Sequence, residues 1–129
     1  MQINDSLLDE ITRQASASPR QRMNYNLHES PESGAQRLIN VLLPGTVIPV
    51  HRHIHTSESY ILLRGRMYVV LYDDTGAQTS RILLDPTSGT YGVHIPAGQW
   101  HGLEIVEPSA IFEVKDGPYT PLEPENMMD

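Results

Sequence analysis

The chain contains no cysteine. Structural disulfides and thiolate metal sites are therefore excluded, and any bound metal must rest on His, Asp or Glu. The same absence is compatible with a reducing compartment. No apolar run approaches the ~20 residues that span a bilayer, so no membrane partner is expected. Met1-Gln2-Ile3-Asn4-Asp5 lacks a basic start followed by an apolar stretch, so no secretory signal is expected, and a cytoplasmic location is. Positive charge is scarce: 9 Lys and Arg stand against 16 Asp and Glu, for a net charge of -7. Phosphate backbones and anionic membranes need clustered positive charge, so nucleic acid is not an expected partner either. Ordinary solubility accounts for the acidity. No internal repeat or low-complexity linker interrupts the 129 residues, which suit a single domain able to bury a core without staples.

What is present changes period along the chain. Ile3, Leu7, Leu8, Ile11 and Ala15 recur near 3.6 residues and predict a helix within 1–17. Asn4, Asp5 and Ser6 are possible caps, Ser6 with Asp9 resembles a capping box, and Ser18-Pro19 ends the helix. Arg20, Arg22, Asn24, Asn26 and His28 then alternate with less polar residues, so a strand would carry them all on one face. From Gln36 onward the pattern is β. Strands are predicted at 37–43, 46–53, 60–63, 67–72, 81–84, 91–95, 100–106 and 110–114, with a hairpin turn at Asp73-Asp74-Thr75-Gly76. Short strands with frequent turns favour a barrel or sandwich. Residues 18–117 form this all-β part. Residues 118–129 hold three prolines and the acids Glu123, Glu125 and Asp129, and read as a surface or disordered tail.

Three histidines and an acid carry the chemistry. His51 and His53 lie two apart, so on a strand both imidazoles face one way and make half a metal site. Glu58 comes five residues later, and a bend near His55-Thr56-Ser57 must return it to that face. Gly65 can mark a tight turn into the next strand. Pro96-Ala97-Gly98 is a rigid turn that presents His101 from a distant strand. Three imidazoles and one carboxylate leave coordination positions open for water or substrate. His55 is a rival ligand, since it shares a face with His51 and His53 in an unbroken strand; the spacing from Gly45 and to Glu58 favours His51, and leaves His55 at the rim. His94, in a Val-His-Ile strand, reads as a hydrogen-bonded structural imidazole. Trp100, Tyr60, Tyr68 and Phe112 read as core or barrel-lining residues. The polar face from Arg20 to His28 is either a solvated edge strand or a substrate-binding wall, where arginines favour an anionic group.

The pattern Gly-x5-His-x-His-x4-Glu-x6-Gly is met by Gly45, His51, His53, Glu58 and Gly65, and Pro96-x-Gly98-x2-His101 follows. These resemble the two cupin motifs. Two positions depart, Thr90 for a glycine and Ile105 for an asparagine, and neither is a ligand. Ser18-Pro19-Arg20, Arg22, Asn24, Asn26, His28, Gln36-Arg37, Pro44-Gly45 and the stretch from Glu113 to Tyr119 resemble the WbuC family of cupin-fold metalloproteins over almost the whole chain. The resemblance implies an all-β cupin (a double-stranded β-helix, or jelly-roll barrel) with a short N-terminal helix. It also implies one divalent transition metal ion (Zn, Fe, Mn or Ni) on His51, His53, Glu58 and His101, and a small-molecule ligand in the barrel. Cupins commonly pair through edge strands, so a homodimer is expected. Arg20, Arg22, Asn24, Asn26 and His28 become candidate substrate contacts, and Tyr119 a cover for the barrel mouth. The expected activity is that of a metalloenzyme, an isomerase or epimerase or a dioxygenase. Its substrate would be a small sugar-like or sugar-acid-like metabolite, with a link to lipopolysaccharide or O-antigen biosynthesis, and Glu58 would be both ligand and proton acceptor. The alternatives are a non-catalytic metal-dependent binding module and a metal-free sugar epimerase.

Overall fold

The computed structural model describes residues 1–128; Asp129, one of the tail acids, lies outside them. Helix α1 (Asp5–Ala17) is capped by Asn4, whose side chain accepts from the Leu7 N–H at 3.0 Å. Of the three possible caps, Asn4 is used because its extended backbone faces the first turn. Leu8, Ile11 and Ala15 are buried along one stripe, as the period predicts.

Six strands follow: β1 (Arg22–Asn26), β2 (Ala35–Leu42), β3 (Glu58–Tyr72), β4 (Gln78–Leu84), β5 (Gly92–Ile95) and β6 (Trp100–Asp116). They form one antiparallel sheet in the order β1-β2-β6-β3-β4, and β5 pairs with the first part of β3. Strand parity divides the apolar residues between two layers. Leu42, Tyr60, Leu62, Met67, Val69, Leu84, Ile95 and Ile111 fill the interior of the curled sheet. Ile39, Val41, Leu43 and Ala110 face the other way and pack under Leu8, Ile11 and Ala15 of α1. Each fully buried aliphatic side chain contributes about 1.5–3 kcal/mol relative to exposure.

Several sequence expectations need correction. Residues 46–53 do not form a strand: pairing is confined to two isolated bridges at His51, one to Met127 and one to His101, with which its backbone exchanges hydrogen bonds of 3.0 and 2.9 Å. Pro49 has no N–H to donate, so no ladder can run through the segment. Gly65 does not end a strand either. β3 passes straight through Arg64-Gly65-Arg66, with register shifts against β6 on both sides. These are β-bulges, which bend the strand without breaking it. By the same token the two strands expected at 100–106 and 110–114 are one, β6. The tail is tied down: Asn126 accepts from the Arg52 N–H at 3.0 Å, and Met128 donates to the Val50 carbonyl at 2.8 Å.

Candidate metal centre

The polar end of the interior is assembled from three separate segments. His51 and His53 come from the extended 46–53 segment. Glu58 is the first residue of β3, after the bend at 54–57. His101 opens β6 behind the Pro96–Gly98 turn, where Gly98 has φ +83° and donates to the His53 carbonyl at 2.8 Å. One ligand-bearing turn is thus pinned to the other ligand-bearing segment.

One donor atom from each of His51, His53, Glu58 and His101 lies within 4.8 Å of every other. His101 Nε2 is 2.8 Å and His53 Nε2 3.7 Å from Glu58 Oε1. His101 and Glu58 are fully buried. Both ring Nδ1 atoms that matter are committed elsewhere: His51 Nδ1 donates to the Pro49 carbonyl and His101 Nδ1 to the Gln99 carbonyl, each at 2.9 Å. That fixes the tautomer and leaves Nε2 of each ring with its lone pair toward the cluster. Tyr60 Oη donates to Glu58 Oε1 at 2.7 Å and holds the carboxylate in place.

Does the arrangement suit an ion? Glu58 Oε2 is buried and has no hydrogen-bond partner among the described residues. An orphaned carboxylate oxygen in the interior is costly unless a cation satisfies it. The donor spread is slightly wider than the ~3–4 Å of a loaded shell. His101 Nε2 and Glu58 Oε1 nevertheless already stand 2.8 Å apart, as two donors to one ion would. Protonation states also fit. Burial holds the His53 imidazole down at about 4, and burial and then the charge of His101 lower His51. Burial pushes the Glu58 carboxyl up, but hydrogen bonds and charge from His101, His53 and Tyr60 outweigh it and leave it below the usual carboxylate range. Neutral His51 and His53 rings beside an ionised carboxylate suit metal binding at neutral pH.

A second acid sits nearby in the opposite state. Glu113 pairs with Tyr60 across β6 and β3, and burial followed by the charge of Glu58 pushes its carboxyl up to about 7. The two shifts act on stability with opposite signs. Between pH 6.5 and 4 the unfolded chain binds a proton that folded His53 does not, so stability falls as pH falls. Between pH 7 and 4.5 folded Glu113 binds a proton that the unfolded chain does not, so stability rises as pH falls. His51, also lowered, adds to the histidine slope, so the thermal midpoint of the metal-free protein should fall from pH 7 to 5 less steeply than the histidines alone would make it. Glu113→Gln should unmask the histidine slope, a loss of about 2 kcal/mol between pH 6.5 and 5. Calorimetry at several pH values checks this; identical profiles for the two proteins would refute it.

The remaining candidates fall around neighbouring hollows, with Asn24 shared between two of them. Asn24, Asn26, His28 and Tyr119 line a cavity of about 380 Å³ together with the ligand His53. Arg20 and Arg22 border a different surface hollow, and Arg22 Nη1 donates to the Val47 carbonyl at 2.8 Å. His55 is exposed and outside the donor cluster, on the wall of a second cavity of about 270 Å³. The exposed His94 ring lies 2.9 Å from Ser59 Oγ. Tyr60 and Trp100 are buried, as expected of core aromatics. Residue-level reading missed Gln36, Glu113 and Lys115, which complete the first cavity. The available signal was inward parity: Ile111, Glu113 and Lys115 alternate along β6 from apolar core to polar cavity.

An antiparallel curled sheet with a His/Glu cluster inside its polar end has the cupin fold. Solved structures agree on the fold. The TT1209 protein from Thermus thermophilus is 24% identical and superposes over 90% of this chain and 97% of that one, with a TM-score of 0.63. A cupin 2 domain-containing protein from Halorhodospira halophila is 18% identical over 79% of this chain and 68% of that one, with a TM-score of 0.63. KdgF from Halomonas sp. is 17% identical over 77% and 82% respectively, with a TM-score of 0.60. No curated protein matches the sequence. The model of a domain of unknown function (DUF6016) matches residues 3–84, and the chain belongs to that family.

Proposed function

We propose that this chain is a metal-dependent cupin that binds a small polar, sugar-like or sugar-acid-like metabolite beside the ion and acts on it by proton transfer. The observation that carries the reading is the meeting of four donors, one with an orphaned oxygen, at a cavity lined by His53. His51, His53, Glu58 and His101 would hold one divalent transition metal ion, which would supply Lewis acidity toward a ligand oxygen. Asn24, Asn26 and His28 offer donors and acceptors for hydroxyl groups, and Tyr119 stands at the edge of the cavity. Glu58 serves as a ligand, since its carboxyl stays ionised. Proton exchange suits Glu113 better, a carboxyl poised near neutrality on the cavity wall. An isomerase or epimerase in which Glu113 takes and returns the proton beside the ion fits this arrangement. The WbuC-type resemblance of residues 18–28 and 113–119 supports a role in surface polysaccharide synthesis.

The test begins with protein purified without added metal. Elemental analysis should find about one transition metal ion per chain. A panel of sugars and sugar acids should raise the thermal midpoint of the loaded protein and not of the chelated protein, and Glu113→Gln should abolish proton exchange with solvent deuterium on the bound compound. Absence of any bound metal would revive the metal-free epimerase. Binding without exchange would leave a binding module.

A further inference from the structure

β6 carries a charge that the metal cluster leaves unused. Lys115 is the register partner of Glu58 on one side and of Gln36 on the other, so it enters the same interior row as the ligand carboxylate. It is only 9% exposed. The stem is what is buried; the ammonium itself reaches the accessible volume of the cavities it lines. Among the described residues no carboxylate lies within 4.0 Å of its Nζ and no hydrogen bond satisfies it. Its recorded neighbour is the Tyr119 ring, with the centroid 5.9 Å away. Lys115 and His53 line both cavities that flank the cluster. An unpaired ammonium therefore stands beside a metal ligand and opens onto empty volume.

Charge balance says what belongs there. The donor set supplies one carboxylate, so a divalent ion would leave one positive charge, and Lys115 adds another. Glu113 is the single further acid on the wall of the larger cavity. The amides of Asn24, Asn26 and Gln36 there carry no charge. The Gln36 amide nitrogen faces the Ser33 carbonyl at 3.2 Å, which leaves its oxygen to accept. The cavity wall carries no arginine, the residue whose fork suits phosphate, and an ionised Glu113 would repel a dianion.

The geometry points to a small hydroxylated monocarboxylate as the ligand, its carboxylate paired with the Lys115 ammonium and its hydroxyls on the Asn24 and Asn26 amides. This assignment rests on the reading that the cavity is the ligand site of a metal centre.

Three probes separate the classes: D-gluconate, its neutral counterpart D-glucitol, and the dianion D-glucose 6-phosphate. Each is titrated calorimetrically into the full chain loaded with one equivalent of zinc. Gluconate should bind saturably and at least about tenfold more tightly than glucitol, the value of one charge-assisted pair. Lys115→Met should erase that preference, and Lys115→Arg should keep most of it. Zinc affinity gives an independent readout. Lys115→Met should bind zinc as tightly as the parent or more tightly, because a like charge beside His51 and His53 is gone. Loss of zinc and gluconate together would mark Lys115 as merely structural and overturn the assignment. So would a parent protein that binds gluconate no better than glucitol, that prefers glucose 6-phosphate, or that keeps its preference in Lys115→Met. A parent that binds no zinc sinks the metal-centre reading itself; one that binds zinc without favouring gluconate sinks only the anchor.

Discussion

Replacing His101 by alanine is expected to weaken zinc binding by at least about a hundredfold. Removing a partner that merely orients a ligand costs roughly 10–100-fold, and losing a ligand costs more. His101 is the central donor: its Nε2 is 2.8 Å from Glu58 Oε1, and its ring centroid is 4.4 Å from that of His51. Because the side chain is fully buried, His101→Ala also opens a cavity, and weakened folding could imitate weakened binding. His51→Ala removes that ambiguity, since His51 is only half-buried and its bridge to His101 runs through backbone atoms. Both variants should lose zinc in competition with a chromophoric chelator. The parent should also lose stability on chelation. An ion present at a thousand times its dissociation constant contributes about 4 kcal/mol, or roughly 15 °C in the midpoint of a chain this size. Unchanged zinc affinity in His51→Ala and His101→Ala would end the case for this site.

The four donors could be found in the sequence because their spacing is a local property. His51 and His53 share a face at any extended geometry, and a turn such as Pro96–Gly98 delivers the next residue wherever it leads. The bend that returns Glu58 to the cluster could be demanded from parity alone, and the chain makes it at 54–57. The cavity wall was only half legible. Arg20, Arg22, Asn24, Asn26 and His28 alternate, which suggests one common face, but Gln21 has φ +56° and breaks the extended run at its start. Arg22, Asn24 and Asn26 keep one parity within β1; Arg20 and Arg22 border a neighbouring hollow that Asn24 shares, while Asn24, Asn26 and His28 line the cavity. Glu113 and Lys115 were harder still. Their parity is readable, but their importance depends on β6 lying between β2 and β3, which pairs Lys115 with both Gln36 and Glu58. That neighbour relation is long-range and leaves no mark on spacing. The same limit explains Gly65: a glycine at a bulge and a glycine at a turn have the same one-letter signature.

Gly65→Ala should destabilise the protein by about 3 kcal/mol or more, whereas Gly45→Ala should cost about 1 kcal/mol. The two glycines close the ends of one motif and share φ +96°, so the backbone penalty for an L side chain is the same at both. What differs is space. A Cβ at Gly45 would meet nothing within 4 Å, but one at Gly65 would stand 2.4 Å from the Pro108 carbonyl oxygen and 2.6 Å from Ser109 Cα. Those atoms belong to the facing strand and cannot swing aside like a side chain. Relief requires β3 and β6 to part at the bulge, where the Arg66 N–H donates to Ser109 Oγ at 3.1 Å. The separation would spread along the strand pair whose register sets Glu58 opposite Lys115 and Tyr60 opposite Glu113. Zinc affinity should therefore fall with stability in Gly65→Ala and hold in Gly45→Ala. Urea unfolding and zinc titration on both variants decide the matter. Equal losses would mean that the left-handed backbone alone explains these glycines and that the bulge does not hold the strands in register.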